Sequence, residues 1–134
     1  MERQASTSAP VIADADILAV RDGQDASIQG IARSVPLLEL PGEERIGRFG
    51  WKAQVATVLT FSADSAMNEM GLTNRLGPNE NAPNGNEERL RECDMVVDPE
   101  DVADSEGMEF IDRVTDFQRF MAAPPQTPRS GMLG

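Results

Sequence analysis

Only two stretches of this 134-residue chain, residues 53–70 and 106–122, carry apolar side chains at helical spacing over several turns. In the first, Val55, Val58, Leu59, Ser62, Ala66, Met67 and Met70 recur every three or four residues, which lays them on one helical face. Gly71 follows as a left-handed helix end. In the second, Met108, Ile111, Val114, Phe117 and Met121 form a stripe flanked by Phe110 and Phe120. Asp112, Arg113, Asp116 and Arg119 lie largely on its other side, and Pro124-Pro125 stops it. Two helices bury one seam between them, so the expected fold class is mainly α with long loops. Leu, Ile, Val and Phe total 29 of 134 residues, against 11 Gly and 9 Pro. That is just above the level at which disorder sets in, so the core must be thin. A chain of this kind folds loosely or forms part of something larger.

Charge and missing residue types narrow the chemistry. The formal net charge is −11, which argues against nucleic acid as a partner, because phosphates need a basic face. No run of about 18 apolar residues exists, so no membrane-spanning helix is expected. The first ten residues lack the apolar region of a signal peptide. There is no histidine, hence neither the usual general base nor the usual haem ligand. The single cysteine, Cys93, excludes an internal disulfide, a Cys-x-x-Cys redox pair and a thiolate zinc site. Glu92 and Asp94 beside it disfavour a thiolate, so Cys93 is not read as a nucleophile. A Ser-His-Asp or Cys-His device cannot be built from these residues.

Taken in order, residues 1–13 read as a disordered or extended lead-in, and 14–20 as a short helix with Asp14 as N-cap. Asp22 and Asp25 lack the companion oxygen ligands of a calcium loop, which leaves an ordinary turn capped by acidic side chains. Residues 35–40, bracketed by Pro36 and Pro41, suit a short edge strand or buried extended piece. Gly47 and Gly50 with Phe49 and Trp51 make a compact bend, in which Trp51 reads as an apolar anchor where loop meets helix. Residues 72–98 read as surface loop, with a helical turn at Glu87–Cys93. Asp98-Pro99-Glu100-Asp101 has the signature of a helix start and opens a short turn, the last helix beginning near Ser105. Met67, Met70, Met108 and Met121 lie on helix stripes and read as packing side chains.

The segment IGRFGWKAQVATVLTFSADSAMNEMGLTNR resembles the di-haem oxidoreductase family, peroxidase-like proteins related to the bacterial di-haem cytochrome c peroxidases. The resemblance continues in ENAPNGN, in DPEDVADSEGMEFIDRVTDFQRFMAAPPQTPRSG and more weakly in DADILAV. It implies that residues 14–134 are part of a cytochrome-c-like di-haem domain of a periplasmic electron-transfer protein. Covalent haem c is the implied cofactor; the implied partners are an electron donor and peroxide or another small acceptor. The family attaches haem at Cys-x-x-Cys-His motifs, and neither motif is present here. The expectation is therefore an incomplete domain, a fragment of such an oxidoreductase. The alternatives are a non-catalytic acidic interaction module and an inactive remnant.

By resemblance, Trp51 in Phe49-Gly50-Trp51-Lys52-Ala53 is the counterpart of a tryptophan that relays electrons between the haems. Glu69, before Met70, is similar to a glutamate that assists peroxide cleavage as a general acid–base. Read from its own surroundings, Glu69 is a solvated acid at a helix end. A glutamine that the family carries between these positions has no counterpart, Phe61 standing close to its place, which counts against peroxidase chemistry.

Overall fold

A computed structural model describes residues 12–122. Among them are four helices and one small sheet: α1 (Asp14–Asp22), β1 (Ser34–Pro36), β2 (Glu44–Ile46), α2 (Val58–Met70), α3 (Glu87–Cys93) and α4 (Phe110–Phe120), with a 3-10 turn at Pro83–Gly85. The mainly helical expectation holds. The lead-in 1–11 and the tail beyond residue 122 lie outside the described residues.

Asp14 does not cap α1. Ala13 occupies the cap position, and its N–H donates to Asp16 (3.2 Å). The Asp14 carboxylate turns instead to β2, where it accepts from the Ile46 N–H (3.0 Å) and pairs with Arg45 and Arg48. β1 and β2 run antiparallel, Val35 opposite Arg45. The connection closes through Leu37 N–H to the Glu43 carbonyl (2.9 Å) and turns at Gly42, whose φ of 93° suits glycine. Of the stretch 35–40, only Val35 and Pro36 are in the strand, and only Leu37 is buried. Asp25 accepts from the backbone and hydroxyl of Ser27, the local turn that its sequence suggested.

The first long helix starts at Val58, not at 53. Thr57 caps it, its hydroxyl accepting from the Thr60 N–H (3.1 Å). The residues before it are held in a turn by a bridge between Phe49 and Val55, so Val55 is buried from a loop. The helix ends at Gly71 in the left-handed conformation (φ 68°), as expected. Its buried positions are Thr60, Ser62, Ala63 and Ala66, whereas Met70 is exposed.

α4 is also shorter than expected, and its stripe is rotated. The buried residues are Ile111 and Thr115, while Phe117 and Met121 face solvent. The seam is set by Ser62, whose hydroxyl meets Thr115 Oγ1 and Gln118 Nε2, each at 3.2 Å. Ile111, fully buried, packs with Ala63 and Ala66, and Leu59, Leu72 and Leu76 close around them. A periodicity of apolar residues alone could not locate this seam, because two of its members are Thr115 and Gln118.

The loop after α2 is not all surface. Thr73 and Asn74 are fully buried. The Asn74 amide donates to the Ala63 carbonyl (3.0 Å), and its oxygen accepts from the Leu76 and Gly77 N–H groups (each 3.1 Å). Each polar atom thus has a partner, as burial requires. α3 occupies Glu87–Cys93, capped by Asn86. No helix starts at Asp98. That side chain bonds the Thr73 hydroxyl, and the Asp98–Pro99 peptide is cis. The acid that serves α4 is Asp101, buried, whose carboxylate accepts from the N–H groups of Phe110 (2.7 Å) and Ile111 (3.1 Å). Asp101→Ala removes this cap and should cost about 0.5–2 kcal/mol. Urea denaturation followed by far-UV dichroism reads this as a lower midpoint.

Arg113 closes the turn before α4 by pairing with Asp104 (2.7 Å) and Glu106. The Arg113 contact, with N–H groups of Met108 and Glu106, holds the Asp104 carboxyl at about 2, below its ordinary 3.8. The ionised form therefore favours the folded turn above pH 4, and this contribution fades as pH falls towards 2. A carboxyl NMR titration of Asp104 should show the depressed midpoint, and Arg113→Ala should return it towards 3.8.

Candidate functional site

A densely bonded turn carries the only tryptophan. The N–H groups of Arg48 (2.8 Å) and Phe49 (2.9 Å) both donate to the Val55 carbonyl, and Val55 N–H returns to the Phe49 carbonyl (3.3 Å). Ala53 N–H donates to the Gly50 carbonyl (3.2 Å), and the Gln54 side chain accepts from Lys52 N–H (2.9 Å). Gly50 (φ 80°) and Ala53 (φ 50°) both sit in the left-handed region. For Ala53 that conformation costs energy, which the surrounding bonds must offset. Gly47 is needed for a different reason: a Cβ there would lie 1.9 Å from the Ala53 carbonyl oxygen.

The base of the turn is equally fixed. The Phe49 ring packs on Phe61, centroids 6.2 Å apart. Arg48, nearly buried, donates to the carbonyls of Ile12 (2.7 Å) and Ile46 (3.2 Å) and pairs with Asp14. Burial raises the Asp14 carboxyl, but the Ile46 N–H and the guanidiniums of Arg45 and Arg48 outweigh it and hold the group below its ordinary value.

Trp51 is 96% exposed at the tip of this turn, with Lys52 beside it, also exposed. The anchor reading of Trp51 is therefore corrected: Val55 and Phe49 do the anchoring, and the indole points to water. Glu69 lies exposed in the last turn of α2. It lies twelve positions beyond the Thr57 cap, about 18 Å at the usual rise. Trp51 thus belongs to the turn before α2, and Glu69 to the opposite end of that helix.

Two further clusters escaped the sequence. Glu80, Asp98 and Glu100 place carboxylate oxygens within 4.8 Å of one another. Asp98 and Glu100 already serve Thr73, Asp98 through its hydroxyl and Glu100 through both backbone and side chain. Their proximity follows from that packing. A cleft of about 320 Å³ lies between α3 and the preceding loop, lined by Glu80, Asn81, Asn84, Asn86, Arg89, Leu90 and Cys93. Nothing in the one-dimensional spacing of these residues signals either.

The donor set does not suit a covalently attached haem c. Attachment needs two cysteines and a histidine ligand, and the chain has one exposed cysteine and no histidine. Met70, Met95 and Met121 are exposed. Among the described residues no helix is long and apolar enough to cross a membrane. No family model matches the chain. Neither a curated protein nor a solved structure matches it.

Proposed function

We propose that this chain is a haem-free portion of a c-type di-haem oxidoreductase of the peroxidase-like kind, working in periplasmic electron transfer. Its own contribution is Trp51, an aromatic, oxidisable side chain presented to whatever redox group docks against it. The observation that carries this reading is the exposure of Trp51 at the tip of a turn held by backbone hydrogen bonds. Glu69, an exposed carboxylate at the end of α2, is the second proposed functional residue, in the role of general acid–base. Because the donor set of this chain does not suit covalent haem c, this reading places the redox centres in segments outside it. Phe61, where the family carries glutamine, weighs against peroxide as acceptor and leaves another small acceptor open.

The test is turnover in a protein that carries this chain together with haem-bearing segments. Trp51→Ala should slow oxidation of a reduced donor while leaving the fold unchanged. Glu69→Gln should lower peroxide turnover about 10²-fold or more if it handles the proton. Unchanged turnover in both variants would remove the functional reading of these residues. A second reading, an acidic interaction module without catalysis, is favoured by the net charge of −11 and by exposed Phe117 and Phe120 on α4.

A further inference from the structure

The chain has six asparagines, and only Asn84 is followed by glycine. Their surroundings differ as well. Asn74 is buried, with both polar atoms of its side chain bonded. The Asn68 amide donates to Asp64 (3.0 Å), and its oxygen accepts from the Asn81 amide (2.9 Å). Asn86 accepts from the Arg89 N–H (3.0 Å) as the cap of α3. Asn79 and Asn84 are exposed, and neither side chain makes a hydrogen bond among the described residues.

The backbone at Asn84 is held lightly. Asn84 (φ 55°) and Gly85 (φ 72°) both stand in the left-handed region, in the three-residue 3-10 turn. One backbone bond closes it, Gly85 N–H to the Ala82 carbonyl (3.0 Å). Gly85 has no side chain to shield its nitrogen, and even an added Cβ would meet nothing within 4 Å. An exposed carboxamide with no partner thus precedes an unshielded amide nitrogen on an open turn.

We propose that Asn84 is a site of spontaneous deamidation, and that its product loosens the cap of α3. The Gly85 nitrogen gives up its proton to base, and with it the bond to Ala82. It then forms a bond to Asn84 Cγ, and the side-chain nitrogen leaves as ammonia. The result is a five-membered imide. Water adds to either imide carbonyl: opening at Cγ leaves aspartate, and opening at the main-chain carbonyl leaves isoaspartate. One water is consumed and one ammonia released, with no change of oxidation state and no co-reactant. Asn79 has the same exposure and lack of partner, but the Glu80 side chain crowds its nucleophile.

Two consequences follow for the loop and α3. Either product adds one negative charge to the −11 of the chain, in the cleft that Glu80 and Arg89 also line. Isoaspartate in addition routes the main chain through Cβ, which lengthens the turn that sets Asn86 under α3. The reaction needs no haem and is independent of the electron-transfer role.

Storage of the folded full chain at mildly alkaline pH, then trypsin and fragmentation mass spectrometry, tests it. Cleavage after Arg75 and Arg89 releases residues 76–89 as one peptide that holds Asn79, Asn81, Asn84 and Asn86 together. The expected result is exchange of amide for hydroxyl at Asn84 ahead of the other three, with isoaspartate among the products. Asn84→Gln, whose ring would have to be six-membered, should abolish the change with far-UV dichroism unaltered. Amide exchange at Arg89 should accelerate in the aged chain and not in aged Asn84→Gln. Absence of conversion at Asn84, or equal conversion at Asn79, would overturn the proposal. So would a folded chain that converts about tenfold or more slowly than the same chain unfolded in guanidinium, since the turn would then be protecting the site. Equal exchange at Arg89 in the two aged chains would overturn the link to α3.

Discussion

Ile111→Ala is expected to unfold most of this protein. Ile111 is 0% exposed and sits where α2, α4 and the loop after α2 converge, against Ala63, Ala66, Leu59, Leu72 and Leu76. Truncating a buried isoleucine costs about 2–5 kcal/mol, part of it the cavity left behind. Whole domains are stable by only about 5–15 kcal/mol. Here the buried core cluster holds three residues, two of them alanines, so the neighbours have little side chain with which to fill the space. The expected observation is loss of the cooperative urea transition, or a midpoint near zero denaturant. Val97→Ala, at a position 86% exposed, is the control and should shift stability by less than about 0.5 kcal/mol. Equal effects from the two would mean that the α2–α4 seam is not the core.

Gly47→Ala should disrupt the Trp51 turn. The new methyl would stand 1.9 Å from the Ala53 carbonyl oxygen and 3.4 Å from Val35 Cγ1. The first neighbour is backbone and cannot rotate away as a side chain can. Relief requires residues 47 and 53 to separate, which stretches the bonds from Arg48 and Phe49 to Val55. Overpacking costs about 1–3 kcal/mol, and each hydrogen bond lost adds about 0.5–1.5 kcal/mol. Amide exchange at Arg48, Phe49 and Val55 should accelerate, and any fixed near-UV signal of Trp51 should fall. Protection unchanged from the parent would show that the turn is not braced at Gly47.

The fold was legible where local chemistry decides it. Gly71 ended α2, and a helical turn formed at Glu87–Cys93, because capping and left-handed glycine act within a few residues. The misreadings share a different cause. The start of α2 moved to Val58 because pairing of Phe49 with Val55 claims the preceding residues, and strand-like bridging leaves no period to read. Asp98 has every local feature of a helix cap, yet its carboxylate bonds Thr73, twenty-five residues earlier in the chain, and Asp101 caps α4 instead. The α4 stripe was right at Ile111 but missed Thr115 and Gln118, because its seam is partly polar, those two answering Ser62. Asn74 read as surface loop because asparagine is usually exposed, and only tertiary contacts with Ala63 and Gly77 satisfy it in the interior. Trp51 was legible as the centre of a compact bend, but its direction was not. The bend of Gly47, Gly50 and Ala53 sends the indole outward and keeps Phe49 inward.

Assignment to a c-type di-haem oxidoreductase is tested most directly by the coding sequence on both sides of this reading frame. A Cys-x-x-Cys-His motif in frame with this chain, upstream, downstream or both, is the expected result. It would supply the haem-bearing segments that residues 1–134 lack and make Trp51 and Glu69 the first positions to mutate. Stop codons bounding the frame, with no haem motif encoded on either side, would contradict the oxidoreductase assignment and leave the acidic interaction module as the function to pursue.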